Sequence, residues 1–87
     1  MLFVFGTEGP HTFWMKGMKF PLDLIFIDSS RTIVDITSLD PQPDIPDSPL
    51  DRYRSPRAQY VLEINRGSAD ELGIAVGMTV QLFLGQD

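Results

Sequence analysis

Pro21-Leu22-Asp23-Leu24-Ile25-Phe26-Ile27-Asp28 is the stretch on which the fold turns. Branched and aromatic residues fill it, and a proline and an aspartate bound it, so it reads as a β-strand over 22–27. Just before it lies His11-Thr12-Phe13-Trp14-Met15-Lys16, then Gly17 to Lys19 and Phe20. This segment holds the only Trp, the only His, two of the four Met and both lysines. Residues 12–16 alternate, with Phe13 and Met15 on one side and Thr12, Trp14 and Lys16 on the other. A second strand is expected there, joined to 22–27 by a hairpin-like connection over 17–21.

Working outward, Leu2 to Phe5 is apolar on both sides, which predicts a short strand buried on both faces. Gly6 to Pro10 is turn chemistry. Ser29-Ser30-Arg31 is a compact turn, and Thr32 to Thr37 alternates as a half-buried strand. Five prolines (Pro41, Pro43, Pro46, Pro49 and Pro56) fix φ and remove backbone donors, so 40–56 is expected to be an irregular excursion. Tyr60 to Asn65 alternates again. Ser68-Ala69-Asp70-Glu71 carries a capping-box signature with Ser68 as N-cap, for a short helix near 68–73 ended by Gly73. Beyond Gly77, a last strand is expected with Met78, Val80, Leu82 and Leu84 facing inward. The sum is one mainly β domain over 1–87: a small antiparallel sandwich or partly closed barrel of about six strands with one short helix.

Bulk composition excludes more than it assigns. Eighty-seven residues make a single domain with a modest core. There is no cysteine, which removes disulfides, thiolate metal sites and thiol nucleophiles together. A net charge of −5 argues against nucleic acid as a partner, since phosphate tracking needs a basic face. No apolar run reaches the roughly 18–20 residues of a membrane span. The apolar start lacks a basic leader and meets Glu8 too soon for a secretory signal, so the chain as given is expected to be cytoplasmic.

Catalytic parts are scarce. No Gly-x-Ser-x-Gly elbow or phosphate-cradling loop occurs, and a triad of His11 with Ser30 or Ser55 has no local support. Asp23 and Asp28 are five residues apart on one strand, roughly 16 Å, and on opposite faces, so they cannot form a glycosidase pair with each other. Either would need a distant acid such as Glu63 or Asp35. His11, Met15 and Met18 have the softness for Cu(I), yet Met15 sits on the Phe13 side, where Met commonly fills a core. No metal site and no cofactor are expected. A binding surface is the better reading: Trp14 beside Lys16 offers an aromatic plane and an ammonium for a small polar ligand or a protein. The bland reading makes Trp14 core and leaves Asp23 to pair with Lys16 or accept backbone donors.

The motifs Met1 to Phe5, Phe13-Trp14-Met15-Lys16, Pro21-Leu22-Asp23 through Phe26-Ile27-Asp28, Tyr53 and Ser55, Tyr60 to Glu63, Gly67, and Gly73-Ile74 with Gly77 resemble those of the domain-of-unknown-function 192 family of small bacterial and archaeal proteins. The resemblance implies a compact, mainly β domain with no established activity. It carries over Trp14, Lys16, Asp23 and Asp28 as motif positions with undefined roles. Many members carry an export signal, so an exported setting is implied if an upstream segment exists. Gly17-Met18 stands where members usually have Asn-Thr, and Met78 where an Asp follows the glycine. Members usually have sequence before the first strand, so this chain is expected to self-associate as a homodimer through the edge left open, or to be less stable than its relatives. The function expected is a non-catalytic binding or accessory module. The alternative is an enzyme acting on a carbohydrate or similar polar substrate through Asp23 or Asp28 with a distant carboxylate.

Overall fold

The computed structural model describes residues 1–14, 20–40 and 52–82. Six strands, β1 (Leu2–Gly9), β2 (Thr12–Trp14), β3 (Leu22–Ile27), β4 (Ile33–Leu39), β5 (Arg52–Arg54) and β6 (Ala58–Asn65), precede one helix, α1 (Ser68–Glu71). The chain is mainly β, as the alternating segments require. Four strands make an open antiparallel sheet in the order β1-β6-β3-β4, and β2 with β5 forms a separate two-stranded ribbon.

β3 is central because its composition leaves it no other place. Leu24 to Ile27 are all at most 1% exposed, so both faces of the strand are covered. Leu24 and Phe26 point to one side and pack with Ala58 and Val61, joined by Phe3, Phe5 and Leu39. Ile25 and Ile27 point to the other, with Ile33, Tyr60 and Ala69, under Ile74, Val80 and Leu82. Both of β3's backbone edges are filled, by β4 (Ile25 opposite Ile36) and by β6 (Ile25 opposite Leu62). The expected hairpin between the Trp segment and β3 is therefore corrected: β2 pairs with β5, Trp14 opposite Arg52. An extended piece of the proline-rich excursion supplies that partner. Proline spacing predicts broken structure but not a three-residue strand between prolines.

Two further expectations change. Among the described residues β1 is an edge strand, paired with β6 alone; Leu2, Phe3 and Phe5 are half-buried, but Val4 is 54% exposed. Among the described residues no strand forms after Gly77. There is only an isolated bridge between Thr32 and Thr79, and Met78 is exposed rather than inward. Val80 and Leu82 do pack on the sheet as expected, while Leu84 lies outside the described residues. Met15, Lys16 and Met18 lie outside them too.

The β3–β4 hairpin closes over Asp28–Thr32. Arg31 N–H donates to the Asp28 carbonyl (3.0 Å), Asp28 N–H to the Thr32 carbonyl (3.0 Å), and Arg31 takes a left-handed φ of 69°. This is a type I turn followed by a left-handed residue, the usual way to join strands with a three-residue loop. The Arg31 guanidinium lies 5.4 Å from the Tyr60 ring centroid, a cation–π contact.

Candidate functional site

Asp23 enters the sheet as the second residue of β3, beside Ser38 on β4 and Ile64 on β6. Alternation places it on the Ile25/Ile27 face, beneath α1. It is 3% exposed, and a carboxylate so placed must be hydrogen-bonded. It is. Oδ1 accepts the Ser38 hydroxyl (2.7 Å), and Oδ2 accepts the N–H of Gly67 (3.0 Å) and of Ala69 (3.2 Å). Burial pushes its pKa up. The Ser38 hydroxyl, the Ala69 and Gly67 N–H groups and the nearby Arg66 charge outweigh that and hold it below its ordinary value.

This arrangement replaces the local capping box. Gly67, not Ser68, is the N-cap of α1, and no side chain within the turn caps it. Two N–H groups at the start of the helix, those of Gly67 and Ala69, are met instead by Asp23, from across the sheet. Gly67 has φ 88°, and a Cβ there would meet nothing within 4 Å. Gly67→Ala should therefore cost only backbone strain, about 1–2 kcal/mol, a fall in melting temperature of roughly 5–15 °C. Thermal denaturation followed by circular dichroism measures it.

Around Asp23 lies a recess of about 180 Å³, lined by Ser38, Arg66, Gly67, Ala69 and Asp70 among others. Arg66 donates its N–H to the Pro21 carbonyl (3.2 Å), and its guanidinium pairs with Asp40. Ser38 and Arg66 had no sequence signal of their own; their place follows from the register of β4 and from the turn after β6.

Asp28 lies at the far end of β3 and does a different job. Its Oδ1 accepts the Ser30 hydroxyl (2.7 Å) and the N–H groups of Ser30 (3.0 Å) and Thr32 (3.0 Å), which lock the hairpin loop. The Ser30 hydroxyl and the Thr32 N–H hold its pKa low. It borders a second recess, of about 360 Å³, with Glu8, Val34, Pro56 and Arg57. Glu8 accepts the Ser29 N–H (2.9 Å) and the Arg57 Nε–H (3.1 Å), and its pKa is lowered by them. The two distant acids are not partners for Asp23. Glu63 stands opposite Leu24 and Asp35 opposite Phe26, so both belong to the other face of the sheet.

His11 is committed elsewhere. Its ring stacks on Phe5 at 3.6 Å, 8° from parallel, and Nε2–H donates to the Ala58 carbonyl (3.1 Å). Ser55, 5% exposed, accepts the His11 backbone N–H (2.9 Å) and donates to the Pro56 carbonyl (2.8 Å). Serine and imidazole thus share a neighbourhood without forming a nucleophile–base pair. Ser30 donates to Asp28 instead. Trp14 is placed by its backbone in the β2–β5 ribbon. Among the described residues, no group of three or more His, Cys, Asp or Glu could hold a metal ion. No helix among them is long and apolar enough to cross a membrane.

On the Ile25/Ile27 face a third recess, about 240 Å³ and mostly apolar, opens between the sheet and the 74–82 segment, over Ile25, Ile33, Leu62, Ile74 and Val80. The recesses of about 180 and 240 Å³ fall below the roughly 300–1,000 Å³ typical of sites for drug-sized ligands, and that of about 360 Å³ lies just inside it.

Comparison with known proteins agrees with the geometry. The family model DUF192, described as Uncharacterized ACR, matches residues 1–82. No curated protein matches the chain. Among solved structures, a candidate transcription regulator from Sinorhizobium meliloti 1021 is similar at 37% identity and a TM-score of 0.69, over 88% of this chain and 57% of that one. A protein of unknown function from Novosphingobium aromaticivorans DSM 12444 is similar at 33% identity and a TM-score of 0.72, over 94% of this chain and 56% of that one. The chain thus spans less than two thirds of either protein.

Proposed function

Since the chain belongs to the domain-of-unknown-function 192 (DUF192) family, we propose that it is a non-catalytic binding module. In this reading the Asp23 recess receives a polar group presented by a protein partner; Trp14 and Lys16 remain candidate ligand-binding residues by their place in the sequence motif. One observation carries it: both motif aspartates are spent on the scaffold. General acid catalysis near neutral pH needs a carboxyl whose pKa is raised. Asp23 and Asp28 are both shifted down. The size of the recess, about 180 Å³, favours a single side chain over a whole sugar ring.

The regulator description of the Sinorhizobium protein is not carried over as nucleic-acid binding, because a net charge of −5 opposes phosphate contact. The test uses fluorescence of the one Trp together with amide chemical shifts, against panels of short peptides, sugars and nucleotides. Saturable shifts at Arg66 to Asp70 with peptides, and no turnover of chromogenic glycosides, are expected. Turnover abolished by Asp23→Asn or Asp28→Asn, with the fold retained, would overturn the proposal.

A further inference from the structure

Charge is not spread evenly along this chain. Residues 12–19 and 52–54, which are β2, the segment that follows it and β5, hold four of the seven basic residues (Lys16, Lys19, Arg52 and Arg54) and no acidic one. Everywhere else three basic residues stand against twelve acidic ones. An acidic protein thus keeps a basic island, and the pairing of β2 with β5 joins its two distant stretches.

The register sets the sides of the ribbon. Thr12 is opposite Arg54, Phe13 opposite Tyr53 and Trp14 opposite Arg52. Register partners share a side, and alternation returns to it two residues on. Positions 12, 14, 52 and 54 therefore lie on one side, and 13 and 53 on the other. Thr12 and Arg54, one end of the first side, are both exposed. The salt bridges among the described residues join Arg57 to Glu8 and Arg66 to Asp40, so Arg54 has no acidic partner there. This end is also fixed to the main sheet. Ser55 N–H donates to the His11 carbonyl (2.7 Å), His11 N–H donates to the Ser55 hydroxyl (2.9 Å), and the His11 ring stacks on Phe5 of β1. Arg54 is thereby carried on a held backbone, as a recognition residue should be.

We propose that this side of the ribbon binds an extended acidic segment of a protein partner. The proposal rests on the binding-module reading and adds to it a contact apart from the Asp23 recess. Guanidinium forks match carboxylates in shape and charge. Arg52 and Arg54 are two residues apart on one strand, a Cα separation of about 6.6 Å, and an extended peptide with acids at alternate positions repeats that spacing. Trp14, the register partner of Arg52, adds an aromatic residue at the same level. Nucleic acid fits less well. Each strand of the ribbon has 3 residues and spans about 10 Å, so a longer polyanion runs off it and meets a remainder rich in acid.

The test titrates the full chain with a short peptide alternating Glu and Thr, followed by amide chemical shifts. A peptide alternating Gln and Thr and an oligothymidylate of equal length are the comparison arms. Saturable shifts at Thr12 and Arg54 with the Glu peptide are expected, roughly tenfold tighter than with either comparison and weakened by added salt. Arg54→Gln removes a charge from an exposed position. It should keep the melting temperature while weakening binding roughly fivefold or more, and Arg54→Lys should recover part of the loss. Shifts at residues 12 and 54 without any at Arg66 to Asp70 would uphold this contact and remove the Asp23 recess from the interface. Shifts confined to Arg66 to Asp70 would do the reverse and overturn the proposal. Equal affinity for the Gln peptide, tighter binding of the oligothymidylate, or no saturable shift at residues 12 and 54 with any probe would overturn it too.

Discussion

Asp23→Ala is expected to lower the melting temperature by roughly 15–30 °C near neutral pH. The reason is what the carboxylate leaves behind. Ala69, 5% exposed, and Gly67 would each keep an N–H with no acceptor, and the Ser38 hydroxyl would lose its own. Unsatisfied donors cost about 1–3 kcal/mol each, but Ser38 and Gly67 are exposed and their donors can turn to water, so the total lies near the lower end for three, about 3–5 kcal/mol. A chain of 87 residues has only about 4–13 kcal/mol of stability to lose. The pH dependence has a definite sign. The folded pKa of Asp23 is depressed below its ordinary value of 3.8, so its stabilisation is fully present above that value. It is lost as pH falls through the folded pKa. The gap in melting temperature between the unaltered chain and Asp23→Ala should therefore be wide at pH 7 and narrow in strong acid. Glu8 and Asp28 have shifts of the same sign but are present in both proteins. A gap that stays constant with pH would mean that Asp23 stabilises through packing and not through its charge.

The contrast between β3 and α1 shows which parts of this molecule are written locally. Leu24 to Ile27 declare a strand because an uninterrupted apolar run of that length has one inexpensive home, the middle of a sheet. The mainly β class follows from such runs. The cap of α1 does not, because Ser68 and Glu71 satisfy the local rule while the real acceptor lies 46 residues before Ala69. Pairing is opaque for the same reason. The partner of β2 is fixed by a tertiary contact with 52–54, and nothing in Thr12 to Trp14 names it. Val4 illustrates a third limit. Apolar residues on both faces of a segment are common to central and edge strands, and only the strand order separates the two. At the site, the bland reading of Asp23 as an acceptor of backbone donors was legible in its position after Pro21. Ser38 and Arg66 were not, since each is ordinary in its own segment.

Phe26→Ala should be the most damaging apolar truncation on the opposite face of the sheet, costing about 3–5 kcal/mol. Phe26 is fully buried in the middle of β3, flanked in register by Val61 on β6 and Asp35 on β4. It packs in the cluster of Leu24, Ala58 and Val61 that Phe3, Phe5 and Leu39 complete. Central strands cannot move toward a void without breaking two ladders, so little of the cavity will be recovered by collapse. Phe20 is the internal control: it is 71% exposed, and Phe20→Ala should change stability by about 0.5 kcal/mol or less. Urea unfolding distinguishes the outcomes. Phe26→Ala should lower the midpoint at an unchanged slope, and its deficit should not vary with pH, in contrast to Asp23→Ala. A small deficit for Phe26→Ala would mean that the Leu24/Phe26 face is not a packed core. The two-faced sheet would then reduce to the single layer beneath α1, where Asp23 would be the chief tie between helix and strand.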